Sequence, residues 1–321
     1  MSGSVAKKFM AGMTLALAVL GAHAETYPSR PITIVVTFQA GGLLDAHMRG
    51  TARLAEKELG QSIVVDNRPG GMSMIGARAV ANAAPDGYTL LQASQNLLRV
   101  PYLMKAKLDP VGDFTYVVGL ADAEHVIAVP ATSPWHSLKD MIDAARAKPG
   151  AFSYGSTGMG GTAHLAMTEL TRQAGVRMVH VPFKGAPDAT VSLLNTGGID
   201  AACMPYSEAA KLGGKARILS VLGTQRMKLD PSVPTAIEAG YQVTAPSYIG
   251  IVGPKGMDPA VVERIHSAFR KAMQSPEYEA LTSRLGMYVL YRSGSDYRQW
   301  AQARTPVEKQ LVQTAGLSVN E

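Results

Sequence analysis

Residues 32–49 read ITIVVTFQAGGLLDAHMR. Ile32 to Phe38 is short, apolar and rich in β-branched side chains, with Pro31 before it and Gly41-Gly42 after it. That pattern predicts a buried strand. From Leu43 the period changes. Leu44, Met48, Ala52 and Ala55 recur at helical spacing, and Leu59-Gly60 supplies a glycine stop. A strand that turns through two glycines into a helix leaves the first N–H groups of that helix unpaired at the turn. The helix dipole adds partial positive charge there, so the turn predicts a seat for an anion.

The same device recurs at residues 152–165, FSYGSTGMGGTAHL. A short strand enters a glycine-rich turn at Gly155 to Gly161, and a helix leaves it at Thr162. Ser156, Thr157 and Thr162 add hydroxyls to the unpaired amides. Neither turn is a nucleotide motif. No Gly-Lys-Ser/Thr follows, as a P-loop requires, and GGLLDA lacks the glycine spacing of a dinucleotide fingerprint.

Outside these turns the chain sets broad bounds. Lys7 and Lys8 precede an apolar run, Phe9 to Ala22, and Ala22-His23-Ala24 fits a small-x-small cleavage site. This predicts a secretory leader over residues 1–24, cleaved before Glu25, and a soluble, exported, periplasmic protein. The formal net charge of +6 on 321 residues falls to +4 once the two leader lysines are removed. A modest positive charge suits small anions. The chain has no dense Lys/Arg block with interleaved aromatics, which argues against nucleic acid. The single cysteine, Cys203, excludes an internal disulfide framework. There is no Cys-x-x-Cys and no paired histidines at ligand spacing, so neither a metal nor a cofactor is expected.

Apolar strands alternate with helical stretches almost throughout, which predicts an α/β fold with mostly parallel sheets. A first crossing into a second lobe is expected after Leu120, and a return after Leu222. The expected lobes are 25–122 with 224–321, and 123–223. A short helix is expected at Val233 to Ala239. Two lobes joined by more than one crossing form a hinge, and the cleft between them is the expected ligand site.

In order, the chain carries YPSRPITIVVTFQAGGLLD (27–45), VVDNRPGG (64–71), IGA (75–77), APDGYTLL (84–91) and DPVGDF (109–114). SLKDMIDAARAKPGAFSYGSTGMGG (137–161), AHLA (163–166), HVPFKG (180–185) and VPTAIEAGY (233–241) follow. With this ordered set the mature chain resembles the extracytoplasmic solute-binding receptors of tripartite tricarboxylate transporters, the Bug-type family. The resemblance implies a two-lobed, type II-like periplasmic-binding-protein fold that closes on its ligand, acting as a monomer. It implies a carboxylate held between the two turns through backbone N–H groups, hydroxyls and bridging water, and delivery to membrane permease subunits. The chain departs from the family pattern where Thr37 and Gln39 replace prolines and where Gly161 replaces a serine. Tyr248 stands at a position that is often tryptophan.

The expected ligand-binding residues are Phe38, Ala40, Gly41, Gly42 and Asp45 on the first turn. On the second they are Ser156, Thr157, Gly158, Met159, Gly160, Gly161, Thr162 and His164, with Met204 nearby. Asp45 reads either as an acid complementing the helix dipole or as a group that orients loop amides or meets a ligand amine. His164 reads more readily as a hydrogen-bonding residue at a helix start than as a base, since no Ser-His-acid spacing accompanies it. Lys184 reads as a solvated lysine or a long-range attractor. Met72, Met74, Met159 and Met204 suggest either gap-filling in a core or an adaptable apolar wall suited to an aromatic or long-chain acid. The leading expectation is a non-enzymatic receptor for a small mono- or dicarboxylate, aliphatic or aromatic. A ligand sensor for a two-component system is the alternative. An exported hydrolase is disfavoured by the absence of a Gly-x-Ser-x-Gly elbow.

Overall fold

The computed structural model describes residues 27–104 and 106–318. The expected leader and its cleavage point lie outside them. The chain begins with β1 (Ile32–Val36), α1 (Leu43–Leu59), β2 (Ile63–Asn67), α2 (Met74–Ala81), β3 (Thr89–Ser94), α3 (Asn96–Leu103) and β4 (Phe114–Ala123). A second group follows: β5 (His125–Pro130), α4 (Leu138–Ala147), β6 (Ser153–Ser156), α5 (Thr162–Ala174), β7 (Val179–Pro182), α6 (Ala186–Leu194), β8 (Ala201–Pro205), α7 (Tyr206–Ala210) and β9 (Ala216–Val221). The chain ends with β10 (Tyr248–Pro254), α8 (Pro259–Met273), α9 (Pro276–Arg284), β11 (Met287–Ser293) and α10 (Gly294–Thr314).

Two sheets result. One has six strands in the order β11-β4-β10-β3-β1-β2, the other five in the order β7-β6-β8-β5-β9. Each is buried on both faces. In β1, Ile34 and Val36 face one core with α1 and α8, while Val35 faces another with α2 and α10. In β5, Ile127 and Val129 join one core, and Val126 and Ala128 the opposite one. Burial on both faces is why these strands read as unbroken apolar runs.

The sheets are mixed, a correction to the mostly parallel expectation. β2-β1-β3 and β7-β6-β8 are parallel, but β10 is antiparallel to both β3 and β4, and β5 to both β8 and β9. The crossings explain this. The chain leaves the first sheet at the end of β4 and returns through the start of its neighbour β10, with Tyr248 opposite Asp122. Strands that exit and re-enter at one hinge must run in opposite directions.

The return comes later than expected. Met227, Val233, Ala236, Val243 and Ala245 pack into the cores of the second sheet, and the expected helix at Val233 to Ala239 is a series of turns. Pro231 and Pro234 remove backbone donors there. The hinge itself is laced by short bonds. Ser247 N donates to Asp122 Oδ1 at 2.6 Å, Leu222 N to His125 O at 2.8 Å and Ala245 N to Leu222 O at 2.7 Å.

Candidate functional site

The turn after β1 and the turn after β6 line one cavity of about 470 Å³ between the two sheets. Each turn lies beyond the carboxyl end of a parallel strand, where open α/β sheets present ligand sites.

The two turns are conformational copies of one another. Gly41 and Gly160 both take left-handed φ, +81° and +69°, which glycine adopts without strain. A side chain at Gly160 would also meet Leu103 at 2.8 Å. Gly42 and Gly161 then cap their helices with nearly identical angles, φ −75° and ψ 172° against φ −70° and ψ 167°. Gly42 N donates to Gln39 O and Gly161 N to Gly158 O, both at 3.4 Å. In each turn the residue four places on takes the amide of the left-handed glycine. Asp45 Oδ2 accepts from Gly41 N at 2.9 Å, and His164 Nδ1 accepts from Gly160 N at 3.0 Å.

This locates the unpaired amides. Those of Gly41 and Gly42 are engaged, and the first bond of each helix is Ala46 N to Gly42 O or Leu165 N to Gly161 O. The amides of Leu43 and Leu44, and of Thr162 and Ala163, therefore have no acceptor among the described residues. Leu43, Leu44 and Thr162 line the cavity.

Asp45 and His164 do their work behind the cavity wall, and neither lines it. Asp45 is almost fully buried. Burial opposes its ionisation, but hydrogen bonds from Arg49, the Gly41 amide and Asn67 prevail and hold the carboxyl below its usual range. Asn67 bridges the loop, donating to Phe38 O at 3.1 Å and to Asp45 Oδ1 at 2.9 Å. His164 lies flat on His180, ring centroids 3.7 Å apart. Burial and the neighbouring His180 lower the His164 pKa to about 4, as its role requires, since an acceptor Nδ1 carries no proton.

A folded-state pKa near 4 against an ordinary 6.5 means that the unfolded chain takes up a proton between those values and the folded chain refuses it. The His164 contribution is therefore complete above pH 6.5 and is lost as pH falls toward 4. His164→Asn keeps an acceptor but does not titrate. Its stability deficit against wild type is expected to shrink by about 2–2.5 kcal/mol from pH 7 to pH 4.5, read by urea denaturation. Equal deficits at both pH values would mean that His164 titrates normally.

Of the remaining expected residues, Phe38, Ala40, Gly41, Gly42, Thr157, Gly161 and Thr162 line the cavity. Gly158, Met159 and Gly160 line an adjoining cavity of about 460 Å³, which shares Phe38, Gln39, Asn96, Thr157, Gly161 and Lys184 with the first. Ser156 and Met204 are fully buried and line neither. Ser156 Oγ lies 2.7 Å from His180 Nε2 and donates to Gly158 O at 3.1 Å. A serine–histidine contact of this length would suit a nucleophile, but here the hydroxyl is sealed behind the turn that it shapes. The methionines divide: Met72 and Met159 are exposed at the adjoining cavity, while Met74 and Met204 are core. Tyr248 is also core, packed on Tyr297 and Trp300.

Reading from sequence missed the rest of the wall. Ser94 is the last residue of β3 and Asn96 the first of α3, and the Ser94 hydroxyl is buried with no partner among the described residues. The end of a central parallel strand was itself a signal for them. Ala123, His125 and Ser247 come from the hinge, and Pro205, Glu208 and Lys211 from α7 and the residues that flank it. Glu208 and Lys211 pair at 2.9 Å. Lys184 is exposed, lines both cavities and has no partner among the described residues.

Residues 48–317 match the family described as tripartite tricarboxylate transporter family receptor. A Cupriavidus necator protein, the UPF0065 protein in the gbd 5' region, is 38% identical over 96% of this chain and 96% of its own. Among solved structures, the periplasmic binding protein BugD is 27% identical with a TM-score of 0.83, covering 91% of this chain and 99% of its own. Rpa4515 of R. palustris with adipate is 26% identical with a TM-score of 0.85, covering 91% and 99%. MatC of Rhodopseudomonas palustris with bound malate is 26% identical with a TM-score of 0.80, covering 89% and 100%.

Proposed function

The chain belongs to the tripartite tricarboxylate transporter receptor family, and on that premise we propose that it captures a small organic carboxylate in the periplasm and presents it to a membrane permease. We divide the lobes at Ala123/Glu124 and Pro246/Ser247. The observation that carries the reading is the pair of matched turns, one from each lobe, whose helix N-termini open on the same cavity. Two unpaired helix starts, the Thr162 hydroxyl and the Lys184 ammonium surround one space with donors and positive potential. Such a set of donors favours an acceptor-rich anion.

In mechanism, the ligand carboxylate first meets the Leu43 and Leu44 amides in the open form. Closure brings Thr157 and Thr162 to the same group. Contacts from both lobes exist only in the closed form, so the ligand shifts the population toward it, and the closed form is what a permease would recognise. Adipate in one relative and malate in another support a carboxylate ligand here. Met72 and Met159 beside the site suit a ligand with an apolar body. The role is binding without turnover, and export follows cleavage before Glu25.

A thermal-shift screen of the mature chain, from Glu25 onward, against mono-, di- and tricarboxylates tests the reading. At a hundredfold excess over Kd a ligand of the native state adds about 2.7 kcal/mol, a rise of several degrees in Tm. A chain already freed of retained ligand that responds to no acid in the panel would overturn the carboxylate assignment.

A further inference from the structure

The largest fully buried side chain among the described residues is a cation, Arg99 of α3. It is 2% exposed and sits against the cavity wall without lining it. Its Nη1 donates to Thr162 Oγ1 at 2.8 Å and to Asn96 Oδ1 at 3.3 Å. Its Nε faces the buried carboxylate of Glu308 from α10, which also accepts from Gln95 and, at 2.6 Å, from Arg304. Asn96 and Thr162 belong to different lobes, and both line the cavity.

Arginine carries donors and no acceptor. Thr162 Oγ1 and Asn96 Oδ1 therefore act as acceptors toward it. Each keeps its donor free, the Thr162 hydroxyl hydrogen and the Asn96 amide NH₂, while the guanidinium occupies one lone pair of each oxygen and disfavours acceptance from a ligand. Without Arg99 both side chains could turn and offer either a donor or an acceptor. Glu308 holds the guanidinium back, balancing its charge so that it does not itself take the ligand.

We propose that Arg99 is a positioning residue that biases Asn96 and Thr162 to act as donors across the two lobes, and so makes this site select an ionised carboxylate over its amide. This rests on the carboxylate-receptor reading above. A carboxylate only accepts hydrogen bonds, so it matches the pair. A primary amide must leave one of its own N–H groups facing a donor, an unmatched contact that a built polar site rejects.

The test is calorimetric titration with adipate and adipamic acid, its monoamide, or with the acid giving the largest shift in the panel and its amide. Wild type should prefer the acid. Arg99→Met/Glu308→Leu replaces the buried pair with apolar groups of similar size, a change that often leaves folding intact, while Arg99→Lys keeps the charge but loses the planar fork. Both are expected to bind the acid at least tenfold more weakly and to lose at least tenfold of the acid-over-amide preference. In an Asn96→Ala/Thr162→Ala background, the Arg99 changes should move affinity by less than twofold, an outcome that a purely structural arginine would not give. Wild-type affinity and preference in folded Arg99 variants would overturn the proposal, as would an undiminished Arg99 effect in that background. A wild type that binds no acid would overturn the receptor reading, and this inference with it.

Discussion

Asp45→Ala is expected to weaken ligand binding by roughly 30- to 100-fold, about 2–3 kcal/mol, although Asp45 lines neither cavity. The carboxylate gathers the Gly41 amide at 2.9 Å, the Arg49 guanidinium at 2.9 Å and the Asn67 amide at 2.9 Å. Hydrogen bonds to a charged group contribute about 1.5–3 kcal/mol each, and these three act on one short loop. Losing them releases Gly41 from its left-handed turn and Asn67 from its bridge to Phe38. The Leu43 and Leu44 amides then no longer converge on the cavity. Stability should fall as well, by about 2–3 kcal/mol, since one buried group makes all three bonds. Asp45→Asn should fall between the two, because it can still accept from Gly41 but has lost the charge that pairs with Arg49. Titration calorimetry reads the affinity and urea denaturation the stability. A destabilised Asp45→Ala chain that binds its acid with unchanged affinity would show that the first turn is scaffold rather than seat.

The largest stability loss is expected at Glu308. The side chain is fully buried and pairs with Arg99, which is also buried, and with the partly exposed Arg304. Burial opposes its ionisation, but the two arginines and Gln95 prevail and hold the carboxyl below its usual range. Removing it strands the Arg99 charge in the interior. Breaking a buried pair from one side typically costs about 3–5 kcal/mol. For a chain of this size that corresponds to a fall of roughly 5–8 °C in Tm. The double change Arg99→Met/Glu308→Leu removes both charges and should recover most of that loss, because no uncompensated ion remains. Calorimetric scans of the three chains decide it. A Glu308→Ala chain as stable as wild type would mean that water reaches Arg99 and that the pair is not a closed network.

Much of this was legible in the sequence because it depends on near neighbours. The helix α1 begins and ends where its periodicity and Gly60 place it. Ser137, Asp258 and Ser275 stand directly ahead of α4, α8 and α9, and each side chain accepts from a first-turn amide of its own helix. Both strand–turn–helix junctions lie where the sequence places them, since a strand, two glycines and a helix are contiguous. The likeness between the turns was less visible. Their shared bond, from a glycine amide to a side chain four residues on, uses a carboxylate in one and an imidazole in the other. No residue-by-residue match between QAGGLLD and GMGGTAH reveals that these two chemistries do the same work.

Sequence alone thus determined the α/β class, the two turns and their suitability for an anion, because each follows from local conformational preference and unpaired amides within a few residues. Tertiary structure alone decided which amides remain available, which residues complete the wall, and where the chain returns across the hinge. Ser94 and Asn96 line one cavity with Thr162. Arg99 reaches Glu308, 209 positions away. Val233 and Ala245 pack into the cores of the second sheet. Contacts of that kind form when apolar faces exclude water and buried polar groups must find partners wherever the fold places them, and the partner's distance along the chain has no part in that choice.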